Sequence, residues 1–311
     1  MKKHLFLILF QLLLSAGVQA QSRKYISQFS HLQHYFNPGL AGYEGSMARG
    51  FVRNQWLGWE GAPKTYFLSA ELDFAQLSGE VDPDLVGKNA VSLSVLQDTH
   101  GAFTETELMF TYAARIRLTK STNLRLGAGV IYNPIRLDGT NLTTKEISDP
   151  IVNRYLGSFA NMSIVDLNIG IALTHSNFYL SYGVQNVNGG NLTRGDVFMT
   201  GIPTSGVFQG GYRNSISEKI AISTNLMWRS RSDLPENVEF NFKVLFSEKV
   251  WLGAGHRIDF ANNFQLGFLL NRMRFGYVYE IPMLKSYLLP NPTHEFMMSF
   301  NLFKEPANRI W

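Results

Sequence analysis

Residues 103–118 have the sequence FTETELMFTYAARIRL, and the order of polar and apolar side chains in this stretch decides the fold class. Leu108, Phe110 and Tyr112 fall on one face of an extended chain, because successive side chains of a strand point to opposite sides. Glu105 and Arg115 fall on the other face. An ordinary strand is about five or six residues long, whereas a tilted membrane strand needs roughly nine to eleven. The stretch therefore predicts a membrane-spanning β-strand with one face toward lipid.

The same period of two recurs from residue 46 onward, for example at 219–229 and at 264–271. An even number of such strands lets an antiparallel barrel close. The predicted fold class is all-β: a transmembrane antiparallel β-barrel of about 14 strands in the outer membrane. The predicted strands lie near 46–54, 64–75, 88–98, 103–118, 122–136, 162–173, 176–187, 204–215, 218–231, 237–247, 249–259, 262–271, 273–282 and 294–303.

The joins between these strands differ in length, and membrane barrels have short turns on one rim and long loops on the other. Short polar joins, predicted as tight turns on one rim, lie at 120–121, 217–218 and 261–263. Longer joins rich in Gly, Pro, Asn and Asp, predicted as loops of the opposite rim, lie at 76–87, 137–161, 188–203 and 283–293.

The composition suits such a barrel better than the alternative, a soluble β-sandwich with shorter strands. Charged residues make up only 17% of the chain, and there are 23 Phe, 13 Tyr, 5 Trp and 27 Gly. Aromatic rings near strand ends are typical of membrane interfaces. Charges of both signs fall opposite the apolar faces and are predicted to point into the lumen: Glu105, Arg115, Arg117, Arg125, Asp166, Glu239, Lys243, Arg274 and Glu280.

The positions at which the strand alternation begins and ends divide the chain into four predicted parts. Residues 1–20 are predicted to be a cleaved signal peptide, with Lys2 and Lys3 before an apolar run of about ten residues that is too short to span a membrane. Residues 21–45 form a pre-barrel segment without strand alternation, either a plug of one mouth or a periplasmic lead-in. Residues 46–303 form the barrel, and 304–311 form a C-terminal tail.

Composition also excludes several classes of function. The chain has no cysteine, which excludes disulfides, thiolate metal sites and a Cys nucleophile. Its formal charge of +4 falls to +2 without the two signal lysines, and no cluster of five or more basic residues is present, so nucleic acid is not an expected partner. The seven His have no metal-ligand spacing, and no Gly-rich phosphate loop opens a helix. No cofactor is therefore expected.

Catalysis has little support in the sequence. His175 and Ser176 are neighbours, and within a strand they would face opposite ways and could not hydrogen bond directly. Asp98 and His100 share a strand face and are expected to form a polar pair near a rim. We therefore predict that the protein is not an enzyme.

Several short motifs resemble, in their order and spacing, the PorP/SprF family of type IX secretion system membrane proteins. They are Ser27-Gln28-Phe29-Ser30, Asn37-Pro38, Leu40-Ala41-Gly42, Arg53-Asn54-Gln55-Trp56, Pro63-Lys64-Thr65-Tyr66, Gln97-Asp98-Thr99-His100-Gly101, Tyr112-Ala113-Ala114-Arg115 and His294-Glu295-Phe296. The resemblance covers nearly the whole mature chain, and the tail 304–311 departs from it.

The resemblance implies a component of the type IX secretion and gliding machinery in the outer membrane. Its expected partners are a secreted surface protein, such as an adhesin, with a C-terminal targeting domain, other secretion components and the lipid bilayer. The expected role is to assist export of that protein or to hold it at the surface. Periodicity alone leaves two alternatives open: a channel or hydrophobic-solute transporter, and, less favoured, an outer-membrane enzyme.

Candidate partner contacts come from two sources. Asn37, Pro38, Arg53 and Trp56 lie in the motifs of the resemblance, where a turn, a lumen ion pair and an interface anchor are the plainer expectations. The other candidates lie in long joins, because loops are free to vary and carry binding, and Tyr and Arg are frequent in binding hot spots. These are Arg154, Tyr155, Arg194 and Tyr287.

Overall fold

A computed structural model describes residues 24–79, 88–141, 154–199, 201–283 and 291–303. The predicted signal peptide, the tail 304–311 and Tyr287 lie outside these ranges. The described residues form fifteen strands: β1 Met47–Asn54, β2 Lys64–Asp73, β3 Ala90–His100, β4 Phe103–Arg117, β5 Thr122–Asp138, β6 Phe159–His175, β7 Phe178–Gln185, β8 Leu192–Gly195, β9 Ser205–Ser217, β10 Ile220–Arg231, β11 Leu234–Phe246, β12 Val250–Arg257, β13 Ala261–Leu270, β14 Met273–Pro282 and β15 Thr293–Asn301.

The strands close into one antiparallel ring. Each pairs with its neighbours in the chain, and the ring closes where β1 pairs with β15, with Met47 opposite Asn301 and Asn54 opposite His294. The short β8 pairs only with the beginning of β6 and continues the line of β7. The described barrel therefore has fourteen strand positions around its wall. The predicted fold class is confirmed.

Alternation sets which side of each strand meets the lumen. Along β2 every second residue is buried and the residues between are exposed. Leu108, Phe110 and Tyr112 face outward as predicted, and Leu266 and Phe268, in the alternating stretch 264–271, are about half exposed on the outer face as well. Exposed apolar side chains on a barrel wall are what a lipid environment permits, since burial in hydrocarbon replaces burial in a core.

The two rims are distinguished by the direction of β1, which runs from the lower rim at Met47 to the upper rim at Asn54. Apart from the join between β2 and β3, the lower rim has turns of a few residues, such as 118–121 and 218–219. The upper rim has the long connections 139–158, 186–204 and 283–292. Short turns mark the periplasmic side and long loops the extracellular side of an outer-membrane barrel.

The predictions for individual joins were wrong in two places. Residues 261–263 belong to β13, and the tight turn before them, 258–260, lies on the upper rim. The long join after β2 lies on the lower rim, because β2 runs downward. Arg117 also differs from its predicted lumen position: it is exposed at the lower end of β4, where its Nε donates to the carbonyl of Thr119.

Helical structure in the described ranges is limited to single turns. These are α1 Gln33–Phe36, α2 Phe74–Leu77 and the 3₁₀ turns Phe29–His31, Pro38–Leu40 and Gly139–Asn141. None of the helices in these ranges has the length and apolar character needed to cross a membrane. Apart from the four-residue β8, the strands range from 8 residues in β1, β7 and β12 to 17 in β5 and β6, so the wall is tallest around β5 and β6.

Candidate functional site

Residues 24–46, which we call the lumen segment, lie inside the barrel. From Ile26 to Ser46 every residue except Tyr35 is buried. The segment's side chains contact inward-facing residues of strands all around the ring. The described chain therefore fills its own lumen with this segment. The sequence is compatible with either a plug or a periplasmic lead-in, and the structure shows the segment inside the barrel.

The lumen segment crosses the barrel from the upper to the lower rim. Lys24 lies near the upper end of β4, where its Nζ is 2.8 Å from Glu105 Oε2 and 2.6 Å from Glu107 Oε1. Ser46 lies at the lower end, and its Oγ accepts a hydrogen bond from the backbone N–H of Asp73. The chain then turns directly into β1. The end of the segment that follows the predicted signal peptide is thus at the extracellular mouth.

An apolar cluster forms the middle of this contact. Ile26, Phe29, Leu32 and Phe36 of the lumen segment pack against inward-facing apolar residues of the wall, which are Phe51, Phe67, Leu96, Val207 and Met227. Sequence reasoning missed these wall positions. The sequence nevertheless contains a signal for them. Adjacent apolar residues, such as Phe51-Val52 and Met227-Trp228, interrupt the alternation of polar and apolar side chains.

A buried ion-pair network binds the segment to the strands that close the ring. Arg53 of β1 faces Glu295 of β15 directly across the closing ladder, and the two side chains form an ion pair. Arg53 Nη2 also lies 2.8 Å from Glu280 Oε1. Arg257 connects Glu280, at 3.1 Å, to Glu239, at 2.9 Å. Charges this deeply buried require such partners, because their desolvation is costly.

Ser27 lies at the centre of this network. Its backbone N–H donates to Glu295 Oε1 over 2.8 Å, and its hydroxyl donates to Glu280. The side-chain amide of Asn241 donates to its carbonyl over 2.9 Å. One residue of the segment therefore holds β11, β14 and β15 together from inside.

A row of glycines receives the Asn37-Pro38-Gly39 turn. Gly127, Gly170 and Gly183 stand side by side in register on β5, β6 and β7. A Cβ on Gly127 would lie 2.2 Å from Gly39 N, and one on Gly170 would lie 1.8 Å from Asn37 Oδ1. Only a wall without side chains allows this approach.

Hydrogen bonds fix the same turn against the wall. Asn37 Oδ1 accepts from the N–H of Gly39 over 2.8 Å, while its Nδ2 donates to the carbonyl of Ile171 over 3.1 Å. Arg125 Nε donates to the carbonyl of Gly39 over 2.9 Å, and the same guanidinium donates to the carbonyl of Ala41. These polar groups of the turn therefore have hydrogen-bond partners within the same chain.

Two histidines of the lumen segment lie beside charged side chains. His34 Nδ1 is 3.3 Å from Glu71 Oε1. His31 Nε2 accepts a hydrogen bond from Lys243 Nζ over 2.7 Å. Both contacts join the segment to the barrel wall.

The predicted contacts Asn37, Pro38 and Arg53 all lie within the barrel, buried against the chain itself. A partner could reach them only if the lumen segment left the lumen, so partner contact at these positions remains a prediction. Trp56 lies in the upper connection after β1, half-buried, with positive φ, and its N–H is 3.4 Å from Thr293 Oγ1.

The loop candidates lie at the upper rim. Arg154 and Arg194 are exposed, and Arg194 stands on β8 opposite Ser163. Tyr155 is buried instead, packed with Leu137 and edge-on to Phe198 at 6.1 Å between ring centroids. Its place is therefore in the packing of the loops, not on their surface.

Both polar pairs considered for catalysis, Asp98 with His100 and Ser176 with His175, are present. Asp98 accepts from Thr65 Oγ1 over 2.6 Å and lies 3.2 Å from His100 Nδ1 near the upper rim. Ser176 lies in a turn, so its Oγ does reach His175 Nδ1 at 3.4 Å, contrary to the strand-based prediction. That nitrogen also accepts the N–H of Asn177. Within the described ranges no group of three or more His, Asp or Glu side chains is placed to hold a metal ion.

The model of one protein family, described as type IX secretion system membrane protein PorP/SprF, matches residues 18–300. The chain belongs to the PorP/SprF family. Together with the barrel fold, this places the protein in the outer membrane as a membrane component of the type IX secretion system. The resemblance drawn from the short motifs is confirmed. No curated protein matches the chain.

Solved outer-membrane barrels are similar in fold. The CymD monoaromatic hydrocarbon channel aligns with a TM-score of 0.50 at 9% identity over 91% of this chain and 95% of its own. The Ralstonia pickettii toluene transporter TbuX gives 0.48 at 8% identity, over 86% and 92%. The Acinetobacter baumannii protein Omp33 gives 0.45 at 10%, over 83% and 96%. At these identities the likeness concerns the fold alone.

Proposed function

We propose that this PorP/SprF protein is a self-filled barrel that acts through its rims, assisting export or surface retention of a secreted partner with a C-terminal targeting domain. The observation that carries the proposal is the lumen segment. A barrel whose interior is occupied by its own buried chain offers no continuous path to a solute. Its remaining surfaces for function are the two mouths and their loops.

The interior also disfavours the transporter alternative. A hydrophobic solute would have to pass Arg53, Arg257, Glu239 and Glu280, which are paired with one another and nearly completely buried. Removing those charges from their partners to admit an apolar molecule would be costly. Nothing in the described lumen forms an apolar route from rim to rim, because its apolar cluster is filled by Phe29, Phe36 and their neighbours.

We place the partner contact on the tall wall at the upper rim. The outward residues in the middle of β5 and β6 are apolar, whereas Arg136, Asp138 and Asn161 at the upper end are polar, with the ring of the exposed Phe159 beneath the Arg136 guanidinium. This change indicates where the wall leaves the membrane. Arg194, with the exposed Leu192 and Val197, extends the raised part.

A clean deletion strain tests the role. We expect it to lose one secreted surface protein while the outer membrane keeps its normal permeability to solutes, and we expect that protein to copurify with the barrel from detergent-solubilised outer membrane. Continued surface display combined with loss of uptake of one solute would replace the proposal with transport.

Point variants test the surface. Arg194→Glu should reduce copurification of the partner, because it reverses an exposed charge on the raised wall without touching a buried contact. Arg117→Glu, at the lower rim, is the matched control and should leave copurification unchanged. Equal effects of the two variants would remove the upper rim as the contact surface.

A further inference from the structure

The raised wall at the upper rim ends in a strand edge that no other described strand covers. Strand β8, Leu192–Gly195, pairs with Met162–Val165 of β6 and is the last strand in the hydrogen-bonding order of the sheet. Strand β9 begins lower on the wall, at Ser205, where it faces Gln185 of β7 and does not reach β8. The outer edge of β8 therefore lies above the level at which the barrel is closed.

The register of β8 against β6 decides which backbone groups lie on this edge. In an antiparallel pair, residues that exchange hydrogen bonds alternate with residues whose N–H and C=O groups point away from the partner strand. The N–H of Asp196 donates to the carbonyl of Asn161 over 2.8 Å, so residue 196 and every second residue before it are of the bonded kind. Thr193 and Gly195 consequently point their backbone groups away from β6. No backbone hydrogen bond from another described residue reaches them.

The side chains of β8 indicate what kind of strand fits beside it. Leu192 and Arg194 alternate onto the outer face, and both are exposed. Arg194 forms no ion pair with a described residue, and the nearby carboxylate of Asp196 accepts the backbone N–H of Asn161 over 3.1 Å. An acidic side chain directly across from Arg194 would complete a favourable cross-strand pair. A second copy of β8 cannot supply it, because the four residues of this strand include no carboxylate.

We propose that β8 binds an extended segment of the secreted partner, which adds to the sheet as an antiparallel strand with an acidic side chain opposite Arg194. The identity of the partner rests on the proposed function, whereas the mode of binding rests on the geometry of β8. Unpaired N–H and C=O groups on a strand edge are a template for another strand. In such strand addition the backbone hydrogen bonds supply affinity, and alternate side chains supply specificity.

A disulfide tether tests this pairing on the detergent-purified protein. The chain has no cysteine, so Leu192→Cys carries a single thiol. The probe is acetyl-Val-Thr-Glu-Thr-Cys-Thr-amide, whose cysteine lies opposite position 192 when its glutamate lies opposite Arg194. Position 192 forms a non-hydrogen-bonded pair with the added strand, and such pairs bring two Cα atoms to about 4.5 Å, within the range that a disulfide needs. Mass spectrometry measures the linked fraction at equilibrium with excess 2-mercaptoethanol.

Two methylated peptides distinguish strand pairing from simple thiol exchange. Methylation of the backbone N of the probe's fourth residue removes the N–H that donates to the carbonyl of Thr193. It should lower the equilibrium constant for linking roughly tenfold, because a methyl group takes the place of the hydrogen bond. Methylation of the N of the glutamate, whose N–H points away from β8, should leave linking unchanged. Val197→Cys is the matched control: Val197 and Leu192 are both 60% exposed, but Val197 lies beyond the strand, so all three peptides should link to it equally.

Variants of β8 separate the mode of binding from the proposed function. Thr193→Pro removes an outward N–H and keeps the bonds to β6, and it should reduce linking at Leu192→Cys by a similar factor. Equal linking of all three peptides at Leu192→Cys would overturn the strand addition. A dimer of the purified protein that Thr193→Pro dissociates would also overturn it, because a second copy would then occupy the edge. In cells, loss of the partner from Arg194→Glu but not from Thr193→Pro would leave the proposed function standing and refute the strand addition alone.

Discussion

The substitution Gly127→Ala tests whether the lumen segment is seated on the glycine row. Gly127 faces Pro38 and Gly39, and an added methyl group would lie 2.2 Å from Gly39 N and 2.2 Å from the carbonyl carbon of Pro38. Both of these are backbone atoms, so neither can rotate away. The turn must therefore move off the wall of β5.

The expected loss in the free energy of unfolding follows from the contacts that this movement breaks. Overpacking a tight contact costs about 1–3 kcal/mol. Displacing Gly39 also breaks the bond from Arg125 Nε to its carbonyl, and a hydrogen bond to a charged group contributes about 1.5–3 kcal/mol. We expect the free energy of unfolding to fall by about 2.5–6 kcal/mol in total.

Two assays measure the result. The temperature at which the purified barrel loses its heat-modifiable gel mobility should fall, and planar bilayers should register channel openings that the wild-type protein lacks. Gly50→Ala is the matched control: this glycine also lies within a strand, but its added Cβ would meet nothing nearer than Phe67 O at 3.9 Å. The Gly127→Ala protein could instead prove as heat-resistant as the Gly50→Ala protein and form no more channels in planar bilayers. In that case the turn at Pro38 and Gly39 would not lie against Gly127 as described.

Three further variants test the rest of the architecture. Leu266→Arg should destabilise the barrel by roughly 2–4 kcal/mol, as a lipid-facing charge does, and unchanged heat resistance would contradict its outward position. Arg53→Met removes the buried cation that faces Glu295 and should cost about 3–5 kcal/mol in urea unfolding, with partial recovery when Glu295→Gln is added. Deleting residues 21–45 should raise bilayer conductance, and unchanged conductance would make the segment a mere lead-in.

The strands and the direction of their faces were predictable from the sequence. Residues such as Leu108, Leu266 and Phe268 face outward as the period of two predicts, and thirteen of the fourteen strand positions needed only small changes of boundary because each strand meets lipid along one whole side. The seventh position was more altered: β7 ends at Gln185 and β8 continues its line after a break. The error at 261–263 has a similar origin, since polar residues of a lumen face resemble those of a turn.

The interior was decided only by tertiary structure. Nothing local in the sequence indicates that Gly127, Gly170 and Gly183 would stand in one row, since this depends on the register of three strands. The same holds for Arg53 and Glu295, which are 242 residues apart and meet only when the ring closes.

The sequence by itself thus determined a fourteen-stranded outer-membrane barrel and its family, together with a pre-barrel segment of undecided place. Lipid acts equally on every outward residue, so its effect appears as a regular pattern that can be recognised one strand at a time. The seating of Ser27 and Asn37 depends on particular partners brought together by closure of the whole ring. Such pairwise contacts between distant residues leave no periodic pattern in the chain, which is why only the folded barrel could place the segment inside it.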